Sequence, residues 1–159
     1  MNALNTLNLI EFIQDIAVSG KSLLGICLGM QLLFDKSEEF GSTQGLGIIS
    51  GKIIKIPNDT YEGQSVKIPH IGWNAIIPSD DKSWKGSLLE KSTMGDFLYF
   101  VHSFMAMPTE SSNNLAYCLY GTNKINASVR QQNVSGCQFH PEKSGSLGLK
   151  ILNQFIHHG

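Results

Sequence analysis

Charge is scarce in this chain of 159 residues. Asp, Glu, Lys and Arg make up 16% of it, against roughly 25% in a typical soluble domain. The two signs nearly cancel, 12 Lys and Arg to 13 Asp and Glu, for a net charge of -1. That balance excludes a broad basic field, and with it the usual electrostatic route to nucleic acid or to an anionic membrane surface. Cysteine is also scarce. Cys27, Cys118 and Cys137 are an odd number at wide spacing with no Cys-x-x-Cys, so neither a metal-binding pattern nor a disulfide framework is signalled, and a reducing cytoplasm fits best. No long apolar run exists either. The longest, residues 23–34, is interrupted by glycines and Gln31 and is too short to span a bilayer. The first positive side chain is Lys21, so the basic start of a secretory signal is not seen. There is no internal repeat and no low-complexity stretch.

What is present suits one globular domain over residues 1–159. Hydrophobic residues at 42% supply a core, and 16 glycines indicate tight turns and close backbone approaches. Leu4, Leu7, Ile10, Ile13 and Ile16 recur every three residues, which predicts an amphipathic helix ending near Ser19 and Gly20. A short apolar strand is expected over 22–26 and a second helix over 28–34. The middle is β-rich, with strands expected over 47–56, 66–77, 96–105, 116–121, 126–132 and 134–139. Residues 78–95 read as a loop with a helical turn around Leu88 and Leu89. Leu147, Ile151, Leu152, Phe155 and Ile156 predict a terminal helix over 147–157. The order is that of an α/β fold, an open sheet with added antiparallel strands. A parallel sheet is built from successive β-α units, and only one such unit is clear here. The chain therefore reads as one that begins partway into its fold.

Two strings carry chemistry. Gly25-Ile26-Cys27-Leu28-Gly29, between a strand and a helix, is a cysteine form of the nucleophile elbow. Such a turn lifts the thiol to the sheet end, sets it at a helix N-terminus where N–H groups favour thiolate, and aims the Leu28 N–H at a developing oxyanion. The alternative is a buried cysteine in a glycine-rich turn. Gln31, four residues on, shares the helix face of Cys27; it either meets a ligand or caps a turn. Glu38 and Glu39 read as a solvated pair. The second string is Gln138-Phe139-His140-Pro141-Glu142. In extended chain, residues two apart share a side, so a carboxylate at Glu142 can fix the tautomer of His140; a surface pair is the alternative. Together the strings make a thiol triad in the order Cys27, His140, Glu142. His70 and His102 fall inside strand patterns and read as core or interface residues. His157 and His158 read as solvated, and Cys118 and Cys137 as inert core thiols.

Gly25-Ile-Cys-Leu-Gly-Met-Gln31 taken with Gln138-Phe-His-Pro-Glu-Lys-Ser144 resembles the class I (triad) glutamine amidotransferases. Pro69-His-Ile-Gly-Trp-Asn74 and Tyr99-Phe-Val-His-Ser103, with Leu32-Leu-Phe and Ser37-Glu-Glu39, are similar to the glutaminase-subunit family of imidazole glycerol phosphate synthases, in histidine biosynthesis. The resemblance covers essentially the whole chain. It implies a flavodoxin-like open sheet with additional antiparallel strands, and glutamine hydrolysis with ammonia passed to a (β/α)8-barrel cyclase. It implies that Cys27, His140 and Glu142 are the triad, with Leu28 an oxyanion donor. It also implies that Gln31, Glu39, His102, Ser103 and Phe104 meet glutamine, Glu39 through the α-ammonium. Trp73, Asn74, Tyr99 and Lys143 match the cyclase interface. Neither metal nor organic cofactor is implied. Related glutaminases that feed sugar amination for surface polysaccharides share these motifs, so the acceptor stays open. Family members are longer at the front, where a Pro-Gly-x-Gly stretch supplies a second oxyanion donor. The resemblance thus implies a domain lacking the first β-α units, with either reduced glutaminase activity or only a partner-binding role.

Overall fold

A computed structural model describes residues 1–58, 60, 61, 64–79 and 83–158, with the side chains of 60, 61, 64 and 158 excepted. The chain opens with helices α1 (Asn2–Thr6) and α2 (Leu9–Val18), strand β1 (Leu23–Ile26) and helix α3 (Leu28–Leu32). Strands β2 (Phe34–Ser37), β3 (Thr43–Gln44), β4 (Ile49–Lys55), β5 (Thr60–Tyr61), β6 (Gln64–Ser65), β7 (His70–Ala75) and β8 (Ile77–Pro78) follow. Then come β9 (Phe97–His102), β10 (Phe104–Pro108), β11 (Asn114–Tyr120), β12 (Asn123–Gln131), β13 (Val134–Cys137) and the last helix, α4 (Gly145–His158).

A five-stranded sheet runs in the order β1-β13-β12-β11-β8. Only its β1–β13 pair is parallel; the others are antiparallel. That pair sets the site, because Ile26 lies opposite Cys137 and both strands end at the same edge. A four-stranded sheet, β10-β4-β2-β3, and an antiparallel ribbon, β7–β9, flank it; β5 and β6 form a small hairpin. The architecture is mixed α/β, as the sequence pattern indicates, with more antiparallel pairing than parallel.

Two apolar clusters hold these parts together. The larger joins Ile76, Leu98, Phe100, Ile125 and Phe139 to Ile151 of α4. The smaller joins Met30 and Leu33 around α3 to Phe34, Ile49, Ile53, Val129 and Val134. Among the described residues, no helix is long and apolar enough to cross a membrane.

Several expected elements are divided. The first helix breaks at Asn8, which adopts φ 53°. The helix expected over 28–34 stops at Leu32, and Phe34 already belongs to β2, fully buried beside Ile49. The strand expected over 96–105 divides at Ser103, since β9 pairs with β7 and β10 with β4; one apolar run serves two sheets. Residues 80–82 of the expected 78–95 loop lie outside the described residues. Among the described part, 83–95, turns replace the expected helical one. Trp84, Leu88 and Leu89 are nonetheless core residues, and the Trp84 indole N–H donates to the Leu115 carbonyl at 3.0 Å. Periodicity cannot reveal a loop that contributes to the core by tertiary contact alone.

Candidate active site

Cys27 makes the turn between β1 and α3 by itself. Its backbone sits at φ 49°, ψ -107°, a region that costs a non-glycine residue about 1–3 kcal/mol and persists only where the surroundings impose it. Here the Cys27 N–H donates to the Cys137 carbonyl at 2.7 Å, and the Cys27 carbonyl accepts from the Gln31 N–H at 3.2 Å. The turn is closed so tightly that a Cβ on Gly25 would lie 2.6 Å from the Gly29 carbonyl oxygen. A Cβ on Gly29 would meet nothing within 4 Å, so the two glycines of the motif are not equivalent.

The thiol accepts from Gln138 Nε2 at 3.6 Å and faces the Val101 carbonyl oxygen at 3.8 Å. Burial pushes its pKa up; the Leu28 N–H pulls it down, the Glu142 carboxylate pushes it up, and Gln138 and Lys143 pull it down. The net direction is upward. This corrects the expectation of a favoured thiolate at the helix N-terminus: α3 is one short turn, and desolvation outweighs its N–H groups.

The base comes from the opposite side of the β1–β13 pair. After β13 the chain runs through Gln138 and Phe139, both fully buried, to His140 and the 3-10 turn Pro141–Lys143. Glu142 Oε1 accepts from His140 Nδ1 at 2.6 Å. The pair is thus made by a turn that Pro141 opens, rather than by extended chain. The turn is pinned to β9: the His140 N–H donates to the Tyr99 carbonyl at 2.8 Å. Ser144 Oγ donates to the His140 carbonyl at 2.6 Å and accepts from the Tyr99 N–H at 3.0 Å. Helix α4 crosses so closely that a Cβ on Gly148 would lie 1.8 Å from the Pro141 carbonyl oxygen. With Nδ1 donating to Glu142, His140 Nε2 carries the lone pair. That nitrogen is buried and has no hydrogen-bond partner among the described residues.

A cavity of about 790 Å³ opens over the thiol. Cys27, Leu28, Gln31, Glu39, His102, Ser103 and Phe104 all line it, so the expected nucleophile, oxyanion donor and ligand-contacting residues share one wall system. His140 and Glu142 are not part of that lining. The two acidic neighbours separate: Glu38 pairs with Lys52 at 3.8 Å on the surface, whereas Glu39 turns to the cavity. Gln31 is buried, with Nε2 donating to Gln138 Oε1 at 2.9 Å and to the Phe104 carbonyl at 3.3 Å.

The remaining expected residues lie on the β7–β9 ribbon and beside it. Ile71, Trp73 and Ala75 face the same side as their partners Val101, Tyr99 and Phe97. Ile71, Trp73 and Phe97 are each more than half exposed, and Trp73 meets Tyr99 edge to face at 6.0 Å. Asn74 points to the other face and donates to the Leu119 carbonyl at 2.8 Å. Lys143 is exposed on the base turn. Cys118 is buried, its thiol pushed up to about 12 by desolvation, and Cys137 moves the same way. His157 is exposed, and the side chain of His158 lies outside the described residues.

Sequence reasoning passed over Gln138, Val101 and Ser144. Gln138 had a signal, since it stands two residues before His140 in a β pattern and so faces the same way. Val101 acts through its carbonyl and Ser144 through a tertiary contact, which no spacing rule reports.

Comparison with known proteins adds a second line. The family model for class-I glutamine amidotransferases matches residues 3–158. The chain is 48% identical over 157 residues to "Imidazole glycerol phosphate synthase subunit HisH 1" of Legionella pneumophila (strain Lens), covering 98% of this chain and 74% of that protein. It is 42% identical over 156 residues to the HisH subunit of Geobacillus thermodenitrificans, covering 98% of this chain and 70% of that one. Among solved structures, one described as a glutamine amidotransferase superposes with a TM-score of 0.65 at 15% identity, over 96% of this chain and 69% of that chain. A glutamine amidotransferase from Thermotoga maritima gives 0.57 at 17% identity, over 94% of this chain and 52% of that one. These structural likenesses speak for the fold alone. The chain thus spans about three quarters of its curated relatives and about half of the Thermotoga structure.

Proposed function

The chain belongs to the class-I glutamine amidotransferase family, and from that premise we propose that it is the glutaminase subunit of an imidazole glycerol phosphate synthase. It hydrolyses glutamine to glutamate and ammonia through Cys27, His140 and Glu142, and delivers the ammonia to a (β/α)8-barrel cyclase. The observation that carries the reading is the state of His140. Its Nδ1 is tied to a carboxylate, while its Nε2 is buried and unpartnered among the described residues. A buried orphan acceptor is costly, and a proton taken from a substrate-engaged thiol is what would satisfy it.

The chemistry follows from the parts. His140 Nε2 takes the thiol proton as Cys27 Sγ bonds to the carboxamide carbon of glutamine. Leu28 N–H stabilises the oxyanion. The imidazolium, held by Glu142, gives its proton to the departing nitrogen; the C–N bond breaks and ammonia leaves. Water then attacks the thioester, His140 accepts its proton, and rupture of the C–S bond releases glutamate and restores the thiol. Glu39 receives the substrate ammonium, and the Ser103–Phe104 segment borders the amino-acid end.

In the free chain the thiol rests against the Val101 carbonyl with its pKa raised. Val101 belongs to β9, the strand that also holds the base turn. The outer face of the same ribbon carries Trp73 and Tyr99, which supports cyclase docking there. Free Cys27, Cys118 and Cys137 support work in the reducing cytoplasm. The test is glutamate release by the chain with and without the cyclase, alongside cyclase turnover fed by glutamine or by ammonia. Release that rises on complex formation and matches cyclisation is the expected result. No release from the complex would overturn the glutaminase reading, and release without cyclisation would overturn the acceptor.

A further inference from the structure

One run of hydrogen bonds reaches the thiol from the far side of the β7–β9 ribbon, and a single carbonyl fixes its direction. The Phe104 carbonyl oxygen can only accept. It lies 2.8 Å from His102 Nδ1 and 3.3 Å from Gln31 Nε2, so both must be donors. His102 Nδ1–H leaves His102 Nε2 as an acceptor, and its neighbour at 2.9 Å, His70 Nδ1, must then donate. His70 Nε2 becomes an acceptor in turn and takes a hydrogen from Asn74 Nδ2 at 3.3 Å. On the other arm, Gln31 Nε2 donates to Gln138 Oε1 at 2.9 Å, which turns Gln138 Nε2 toward Cys27 Sγ at 3.6 Å.

We propose that Gln138 is a positioning residue for the nucleophile, held as a hydrogen-bond donor onto Cys27 by Gln31 and the Phe104 carbonyl, and that His70 and His102 form the neutral, one-way arm that fixes this carbonyl from the ribbon side. His102 is thereby a cavity-wall residue whose two ring nitrogens are both engaged inside the protein, not a side chain free to bind substrate through its ring. The packing agrees with a neutral arm. His70 stacks on Tyr120 at 4.1 Å and on Phe100 at 5.1 Å. Burial holds both rings down to about 4; charge on His102 would push His70 further down, and on His102 the Phe104 carbonyl pulls upward against burial and against charge on His140.

The inference deepens the glutaminase reading and rests on it for its kinetic consequence, so the tests include readouts that need no turnover. Gln138→Glu keeps shape and the acceptor for Gln31 but replaces the donor facing the thiol with a second acceptor; Gln138→Met keeps volume and removes both. With the full chain, alkylation of Cys27 by iodoacetamide at neutral pH should slow by about tenfold in each variant, and its pH profile should move up. In the cyclase complex, kcat should fall while KM for glutamine stays within about twofold. An unchanged alkylation profile in folded variants would overturn the role of Gln138. In the unmodified chain, ring ¹⁵N spectra should show His70 and His102 both as Nδ1–H tautomers that do not titrate between about pH 5.5 and 8. An Nε2–H tautomer at either would overturn the relay. If the complex hydrolyses no glutamine while these two readouts hold, the functional reading fails and the network stands.

Discussion

The two turns that meet at the β1–β13 edge are built by opposite means. The nucleophile turn is held by backbone: a positive φ at Cys27, a glycine with no room for a Cβ, and two main-chain hydrogen bonds. The base turn is held by side chains and by another strand: Glu142 on the ring, Ser144 bridging His140 to Tyr99, and α4 against Pro141. The first fixes its residue at a set place regardless of the partner. The second inherits its position from β9, the strand whose outer face carries Tyr99. Displacing the ribbon should therefore shift the base turn and the Val101 carbonyl more than the nucleophile turn.

The sharpest break of this contrast is removal of either chemical group. Cys27→Ala should lower glutamine hydrolysis in the complex by at least about 10⁴-fold, with ammonia-fed cyclisation intact; loss of both would mean a structural role. Glu142→Gln should cost about 10²–10⁴ in kcat with little change in melting temperature, because this carboxylate is about half exposed (46%). A large loss of stability would show that the base turn depends on Glu142 for folding. Next are the backbone devices. Gly25→Ala should destabilise by about 3 kcal/mol or more, read by chemical denaturation, since its Cβ meets main chain; Gly29→Ala should be nearly neutral. Equal effects would end the claimed asymmetry of the motif. Trp73→Ala should weaken cyclase binding by about 2 kcal/mol with stability little altered, checked by titration calorimetry.

The remaining effect is on pH. His70 and His102 are held neutral, with folded values near 4 against 6.5. Below 6.5 the unfolded chain binds protons that the folded chain refuses. Stability is therefore full above 6.5 and falls as pH drops toward 4, by up to about 1.4 kcal/mol per pH unit for each histidine. Urea denaturation across that window, compared with His70→Phe, measures it; a flat profile would mean that the rings are charged or solvated.

The same contrast explains what could be read in advance. The elbow is local, so Gly25, Cys27 and Gln31 were visible as spacing. His140 and Glu142 were visible as neighbours, but their meeting was assigned to extended chain, whereas a Pro141-led turn produces it. The division of 96–105 at Ser103 was hidden because both halves are apolar and β-branched or aromatic, and only sheet partners distinguish them. The role of Gln138 was hidden for a different reason. Its partner Gln31 lies 107 residues away, and the Phe104 carbonyl that also accepts from Gln31 is on another sheet. Burial of Trp84, Leu88 and Leu89 in a loop left no periodic trace at all.

The central claim is that Cys27 attacks glutamine with His140 as its base. Rapid quenching of the cyclase complex with isotopically labelled glutamine, followed by peptide mass spectrometry, addresses it directly. The expected species is a γ-glutamyl thioester on Cys27 that forms before glutamate appears, is absent from Cys27→Ala, and forms far more slowly in His140→Asn. Turnover of glutamine with no adduct at Cys27, or with the adduct on another residue, would contradict it.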